Sequence, residues 1–303
     1  HSETSFTPGR CEHAAQPDPV DLDRFVHEPL PQDRLPQGAR SYDEADLSDK
    51  SSAVSSLPRL DAAARAQILR RYRCQLASLR SVDRGFRQLV RALGRTGSLR
   101  DTAVVFTSDN GFFHGEHRLQ RNKGYPYEEA IRVPLLIRLP PAAGIGSRTT
   151  VGSPVANIDI TATILELAGA QSCKGPRRCR ILDGRSLLPL IARGPSDWPD
   201  DRAILIEQER HEYLCAAFAA IWRPAEMLAR YPTPTGPGGA CSPEHEHYET
   251  ARDPMQLENA FPAAEGSSGR ERQADLLGEL SRLRRCAGVA GRDERSGGRP
   301  FCE

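Results

Sequence analysis

Lysine is almost missing from this sequence. Of 41 basic residues in 303, only Lys50, Lys123 and Lys174 are lysines. A compact ammonium and a planar guanidinium are not interchangeable, so each position that keeps a lysine is a candidate site. Net charge is nearly missing too: at +1 the chain has no global field to draw it to nucleic acid or anionic lipid. No apolar run approaches the roughly 18 residues of a membrane span. None of the eight cysteines forms Cys-x-x-Cys, which argues against a zinc ribbon or a thioredoxin-type site. The chain opens at His1 with neither an initiator Met nor a signal-like apolar stretch, which reads as a processed or trimmed chain.

What is present is a chain long enough for one large or two unequal domains with a real core. The even number of cysteines includes two close pairs. Cys173 and Cys179 bracket a Lys-Gly-Pro-Arg-Arg loop, and Cys286 and Cys302 bracket a Gly/Arg-rich stretch. Both pairs read as disulfides, and disulfides place the chain in an oxidising compartment, secreted or extracytoplasmic.

Residues 1–57 are rich in Pro, Asp and Ser and lack periodicity, which predicts surface loops. From 61 to 95, apolar residues from Ile68 through Leu76, Leu79, Val82, Phe86 and Leu89 to Leu93 recur at three- and four-residue steps. That spacing predicts a long amphipathic helix with one apolar stripe. Residues 102–108 read as a buried strand, 133–138 as a second, and 159–168 as a helix with Gly169 at its end. Alternation of this kind predicts an α/β layer with a largely parallel sheet over residues 1–195. Residues 203–208, 213–222 and 245–249 then read as strands and 270–285 as a helix with Leu276, Leu277, Leu280 and Leu283 on one face. They predict a small α+β subdomain over 196–303.

The candidate chemistry sits at the end of the 102–108 strand, in Ser108-Asp109-Asn110-Gly111. Ligand sites in open α/β sheets lie beyond the carboxyl ends of strands. A carboxylate and an amide oxygen side by side suit a hard cation, Ca²⁺ or Mg²⁺; the same triplet also suits a plain turn. His117 and Lys123 follow within fourteen residues of Asp109. Together a cation site, an imidazole and an ammonium suit binding of an oxyanion and stabilisation of its charge. His114, His245 and His247 read as structural, since the His-x-His spacing lacks a third ligand nearby.

The run from Thr107 to Arg138 resembles the core of the sulfatase family, within the alkaline phosphatase-like superfamily. The matching features are Ser-Asp-Asn-Gly at a strand end, Gly115-Glu116-His117, Lys123-Gly124, and Tyr127-Glu128-Glu129 followed by Val133-Pro134. The likeness continues through Asn157-Ile158-Asp159, Asp183-Gly184-Arg185-Ser186 and Asp253-Pro254 with Asn259, and is greatest to secreted bacterial enzymes akin to N-acetylglucosamine-6-sulfatases. It implies an alkaline phosphatase-like sandwich, incomplete at its N-terminus, and hydrolysis of sulfate monoesters of small molecules or glycans. It also implies that Asp109 and Asn110 ligate calcium, that Lys123 contacts the sulfate, and that His117 is the Gly-x-His histidine, a catalytic candidate. His1 matches the end of the family's Pro-His segment, which reaches the sulfate ester.

The family's nucleophile is a formylglycine made from Cys/Ser-x-Pro-x-Arg, and none of the eight cysteines stands in that motif. The early Asp-Asp pair that completes the calcium shell is missing as well. Both are expected in a segment preceding His1, which would also supply strands covering Val104, Val105 and Phe106. Two readings compete with the sulfatase: a phosphodiesterase or phosphonate hydrolase of the same superfamily, and a catalytically inactive sulfatase-like binding protein.

Overall fold

The computed structural model describes residues 11, 16–34, 39–121, 123–145, 150–170, 181–208, 217–231, 244–293 and 298–302. Cys173, Cys179, Cys215, Cys241 and His1 lie outside them. The chain divides into two compact units, 1–144 and 145–303. The change of character near residue 195 falls within the second.

The first unit contains the short helix α1 (Ser52–Ser55), the 34-residue helix α2 (Ala62–Arg95) and the strand β1 (Val104–Thr107). The one-turn helix α3 (Glu128–Ile131) and the strand β2 (Leu135–Arg138) follow. Helix α2 starts where the Asp61 carboxylate accepts the Ala64 N–H at 2.7 Å, satisfying one of the first-turn donors. Its first half buries Ile68, Arg71, Cys74 and Ala77. Ile68 packs with Leu30 and Leu60, and Tyr42, Leu69 and Tyr72 pack around them. A disulfide from Cys11 to Cys74, not anticipated from sequence, ties the start of the chain to this half.

The expected stripe is only half buried. Leu79, Val82, Phe86 and Leu89 keep the helical spacing but stand 44–53% exposed. Periodicity fixes which side of a helix is apolar, whereas burial needs a partner element, and the apolar core described for this unit ends with the first half of α2.

The expectation of a largely parallel sheet is also corrected. β1 and β2 pair antiparallel, from Val104 opposite Arg138 to Thr107 opposite Leu135. A parallel return needs a crossover, usually a full helix; here the connection folds into a packed loop whose one helix is a single turn. Nor is β1 the buried strand expected: Val104 and Val105 are half-buried, while Phe106 and its cross-strand neighbour Leu136 are 41% and 60% exposed.

The second unit contains α4 (Asn157–Leu167), α5 (Leu188–Arg193), the strands β3 (Ile204–Gln208), β4 (Phe218–Arg223), β5 (Glu226–Arg230) and β6 (His245–Tyr248), and α6 (Ser268–Leu283). The strands form one antiparallel sheet in sequence order. Strand β5 escaped the sequence reading because it is short, follows Pro224-Ala225 directly, and has only three apolar residues, Met227, Leu228 and Ala229, between Glu226 and Arg230. Helix α6 lays Leu276, Leu280 and Leu283 against Ala219, Ile221 and Leu228, the period-3.6 face expected of it.

α4 is held by one carboxylate. Asp159, fully buried, accepts the Ala156 and Arg185 N–H groups at 2.8 and 2.9 Å and pairs with Arg202 at 2.5 and 2.8 Å. Gly169, at φ 60°, closes the helix in the left-handed conformation expected of it. The Cys286–Cys302 disulfide is formed as expected. Among the described residues, no helix is long and apolar enough to cross a membrane.

Candidate active site

The chain leaves β1 at Thr107 and immediately hydrogen-bonds to itself. Ser108 Oγ donates to the Asn110 carbonyl at 2.9 Å, the Asn110 N–H to Asp109 Oδ1 at 3.0 Å, and Asn110 Nδ2 to the Gly111 carbonyl at 2.7 Å. These bonds turn the Asn110 NH2 toward the Gly111 carbonyl and leave Asn110 Oδ1 and the outer oxygen of Asp109 as acceptors. Lys123 Nζ lies 4.0 Å from Asp109 Oδ2, with both side chains open to solvent. The structure therefore brings Asp109, Asn110 and Lys123 to one end of one strand.

The loop is clamped from below. Gly111 N–H donates to the Ala130 carbonyl at 2.8 Å and Phe112 N–H to the Glu129 carbonyl at 3.1 Å. A Cβ on Gly111 would stand 1.8 Å from the Glu129 carbonyl oxygen. Glycine is needed here for close approach of two backbones, not for a sharp turn.

Beneath lies an aromatic and ionic platform. Phe113, Tyr125 and Tyr127 are buried with ring centroids 6.1–6.4 Å apart, and Tyr127 lies over His117 at 4.2 Å. His117 has no solvent exposure and a backbone φ of 50°; its N–H donates to the Ser41 carbonyl at 2.7 Å. Its Nδ1 meets Glu44 Oε2 at 2.6 Å, and the other Glu44 oxygen meets buried Lys50 Nζ at 3.3 Å. Nε2 is buried without a hydrogen bond, 3.9 Å from Glu129 Oε2.

Glu116 and Glu129 face the same space. Burial first, and the Glu129 charge second, push the Glu116 carboxyl up to about 7. Burial likewise raises Glu129, although His117 opposes it. His114 is a structural residue, with Nε2 on Gln75 Oε1 at 2.6 Å. Burial, aided by Arg71, pushes it down to about 4, so it is neutral at pH 7. Arg118 spans the Glu44, Leu57 and Ala45 carbonyls at 2.8–2.9 Å and ties the loop to the segment before α2.

Glu44 and the glutamate pair were missed from sequence. The signals were faint but real: Lys50 is one of three lysines, and Glu129 stands in the Tyr-Glu-Glu run.

In the second unit, Gln273 Oε1 accepts from Ala263 N–H and its Nε2 donates to the Ala260 carbonyl, so that nitrogen also donates to His247 Nδ1 at 3.1 Å. The proton of neutral His247 therefore sits on Nε2, facing Glu226 at 3.3 Å. A cleft of about 520 Å³ opens beside them, lined by Arg252, Ser268 and Arg272 among others, but Glu226 there is already engaged by His247 and Arg272. Among the described residues, no group of three or more His, Cys, Asp or Glu could enclose a metal.

Comparison with known proteins matches the chain to a family. The family model described as Sulfatase matches residues 25–170. An arylsulfatase of Chlamydomonas reinhardtii is 31% identical over 271 residues, covering 82% of this chain and 40% of that protein. The chain belongs to the sulfatase family. Human N-acetylglucosamine-6-sulfatase is 40% identical over 140 residues, covering 46% of this chain and 23% of that protein. A solved structure of a protein in complex with its substrate D-glucosamine-2-N,6-O-disulfate superposes with TM-score 0.57 at 29% identity, over 71% of this chain and 40% of that one. This sulfatase-family chain thus has the alkaline phosphatase-like α/β fold and spans less than half the length of these relatives.

Proposed function

We propose that this chain carries the cation- and sulfate-binding end of a sulfatase active site, acting in hydrolysis of sulfate monoesters. The observation that carries the reading is the Lys123 ammonium 4.0 Å from Asp109, next to Asn110, at the end of β1. The donor set fits a hard divalent cation in kind, with a carboxylate and an amide oxygen available. It falls short in number, because calcium takes six to eight oxygens. A calcium or magnesium ion held by Asp109 and Asn110 would draw negative charge from the sulfate oxygens.

Lys123 supplies the chain's own contribution. Its ammonium is a point charge on a flexible stem, anchored near the strand end by Asp109 and placed to bind an oxygen of the ester as charge builds there. His117 acts as a positioning residue: committed to Glu44 and buried under Tyr127, it fixes the loop from which Lys123 projects. The nucleophile is supplied from outside these residues, since no Cys/Ser-x-Pro-x-Arg is among them. His1, matched to the Pro-His segment, is proposed to lie near the ester, and 1–195 and 196–303 are proposed as the catalytic part and its small subdomain.

A sulfated glycan is the proposed substrate class, supported by the glucosamine disulfate bound to the structural relative. An exported location is supported by the Cys11–Cys74 and Cys286–Cys302 disulfides.

The test is a chimera. Residues 107–138 replace the matching segment of the Chlamydomonas arylsulfatase, and turnover of an activated aryl sulfate is measured with Ca²⁺ present. The chimera should be active, and Lys123→Ala or Asp109→Ala within it should lower kcat/KM by roughly 10²–10³. An active chimera indifferent to both substitutions overturns the reading. The 303-residue chain alone should show no turnover.

A further inference from the structure

We infer that the outer face of α2 is a docking surface for a linear sulfated polysaccharide, separate from the site at the end of β1. Arg80, Arg84, Arg87, Arg91 and Arg95 follow one another at steps of four, three, four and four residues. At about 100° per residue they form one stripe, roughly 150° around the helix from the apolar stripe of Leu79, Val82, Phe86 and Leu89. From the first arginine to the last, the stripe runs about 22 Å along the axis. Asp83 is the sole acidic residue of this half of the helix, in a chain whose 41 basic and 40 acidic residues otherwise balance.

Part of the stripe is already committed. Arg80 pairs with Asp83, and Arg84 with Asp18 and Asp21. Arg87, Arg91 and Arg95 are exposed, and among the described residues none of them has a hydrogen-bond or ion-pair partner. Three unpaired guanidinium groups in a row are complementary to a polymer with repeating sulfate and carboxylate groups, each of which a guanidinium can grip with two hydrogen bonds. A rigid helix holds them in line without the ordering cost of a loop.

This surface rests on the reading of the substrate as a sulfated glycan, and it would hold the polymer near the molecule while sulfates pass through the site. Binding is read without turnover, so an inactive chain can pass this test and an active one can fail it. The 303-residue chain is passed over immobilised heparin, and its affinity for a heparin fragment is measured by titration. Arg87→Gln/Arg91→Gln/Arg95→Gln should elute at lower salt and bind roughly tenfold more weakly. Arg87→Lys/Arg91→Lys/Arg95→Lys, which keeps the charge and loses the paired hydrogen bonds, should bind with an affinity between that of the parent chain and that of the Gln triple. An equal loss of charge elsewhere, Arg230→Gln/Arg270→Gln/Arg285→Gln, should change it less than twofold. Far-ultraviolet circular dichroism confirms that each variant keeps its helices. Equal losses in the two Gln triples, or unchanged binding in the first, overturn the proposal. So does a first triple that loses only its binding to phosphatidylserine vesicles, which would make the stripe a membrane contact.

Discussion

The loop region formed by residues 41–50 and 111–131 and the sheet and helix of residues 204–283 are stabilised by different physics. In the loop region the buried side chains include Asp43, Glu44, Lys50 and His117, held by ion pairs and by Arg118 on three carbonyls. In the sheet the core is Ala219, Ile221, Leu228, Leu276, Leu280 and Leu283. Burial of apolar area tolerates small displacements, whereas a buried charge is costly unless every partner stays in place. The candidate site stands on the polar platform. That gives it a fixed geometry and makes it the part of the molecule most exposed to single changes and to pH.

The largest effect should come from the platform. Glu44→Ala strips both His117 and the wholly buried Lys50 of a partner and should cost about 4 kcal/mol. Amide hydrogen exchange across 112–127 should accelerate. Unchanged protection there would erase the distinction between the two regions.

Next is Leu280→Ala, which opens a cavity under the sheet and should cost about 3 kcal/mol. Both tryptophans of the chain, Trp198 and Trp222, lie in the second unit, so tryptophan fluorescence during urea unfolding reports this change directly. Gly111→Ala is expected to cost about 2 kcal/mol, because its Cβ must displace the Glu129 carbonyl. Exchange of the Gly111 and Phe112 amides should speed up most.

The smallest effects separate the regions by pH. Glu116 holds its proton up to about pH 7 in the folded chain, so its contribution is present below its ordinary value of 4.5 and lost as pH rises to 7. His114, pushed down to about 4, acts oppositely: its contribution is present above 6.5 and lost as pH falls to 4. Between these values the Glu116 and His114 contributions oppose one another, with the raised Glu129 carboxyl adding to the side of Glu116, and Glu116→Gln should shift the profile toward stability that rises with pH from 4 to 6.5. In the sheet, burial alone would raise Glu226, but hydrogen bonds from His247 and Arg272 outweigh it and bring the carboxyl down to about 2. Its contribution is present above 4.5 and lost as pH falls toward 2, which acid titration of tryptophan fluorescence reads. A Glu116→Gln variant with the wild-type pH profile would sink the carboxyl's assignment.

Much of the local structure was legible in the residues alone. The start of α2 after Asp61, α4 with Gly169 behind it, the leucine face of α6 and the Cys286–Cys302 bridge follow from patterns spanning a few turns or one short loop. The strand-end position of Asp109 and Asn110 was legible too, since a β-branched run followed by Ser-Asp-Asn-Gly specifies a strand and its end. Helix periods, caps and turns depend on residues near in sequence, which is why sequence determines them.

Only the tertiary structure decided the rest. That β1 and β2 run antiparallel, that Cys74 takes Cys11, and that half of the α2 stripe stays open depend on where the chain travels between elements. His117 and Glu44 stand 73 residues apart in sequence yet 2.6 Å apart in space. No local period encodes such a meeting. A buried ion pair depends on burial, and burial is a property of the packed chain, so the platform beneath Asp109 and Lys123 existed only once the chain had folded around it.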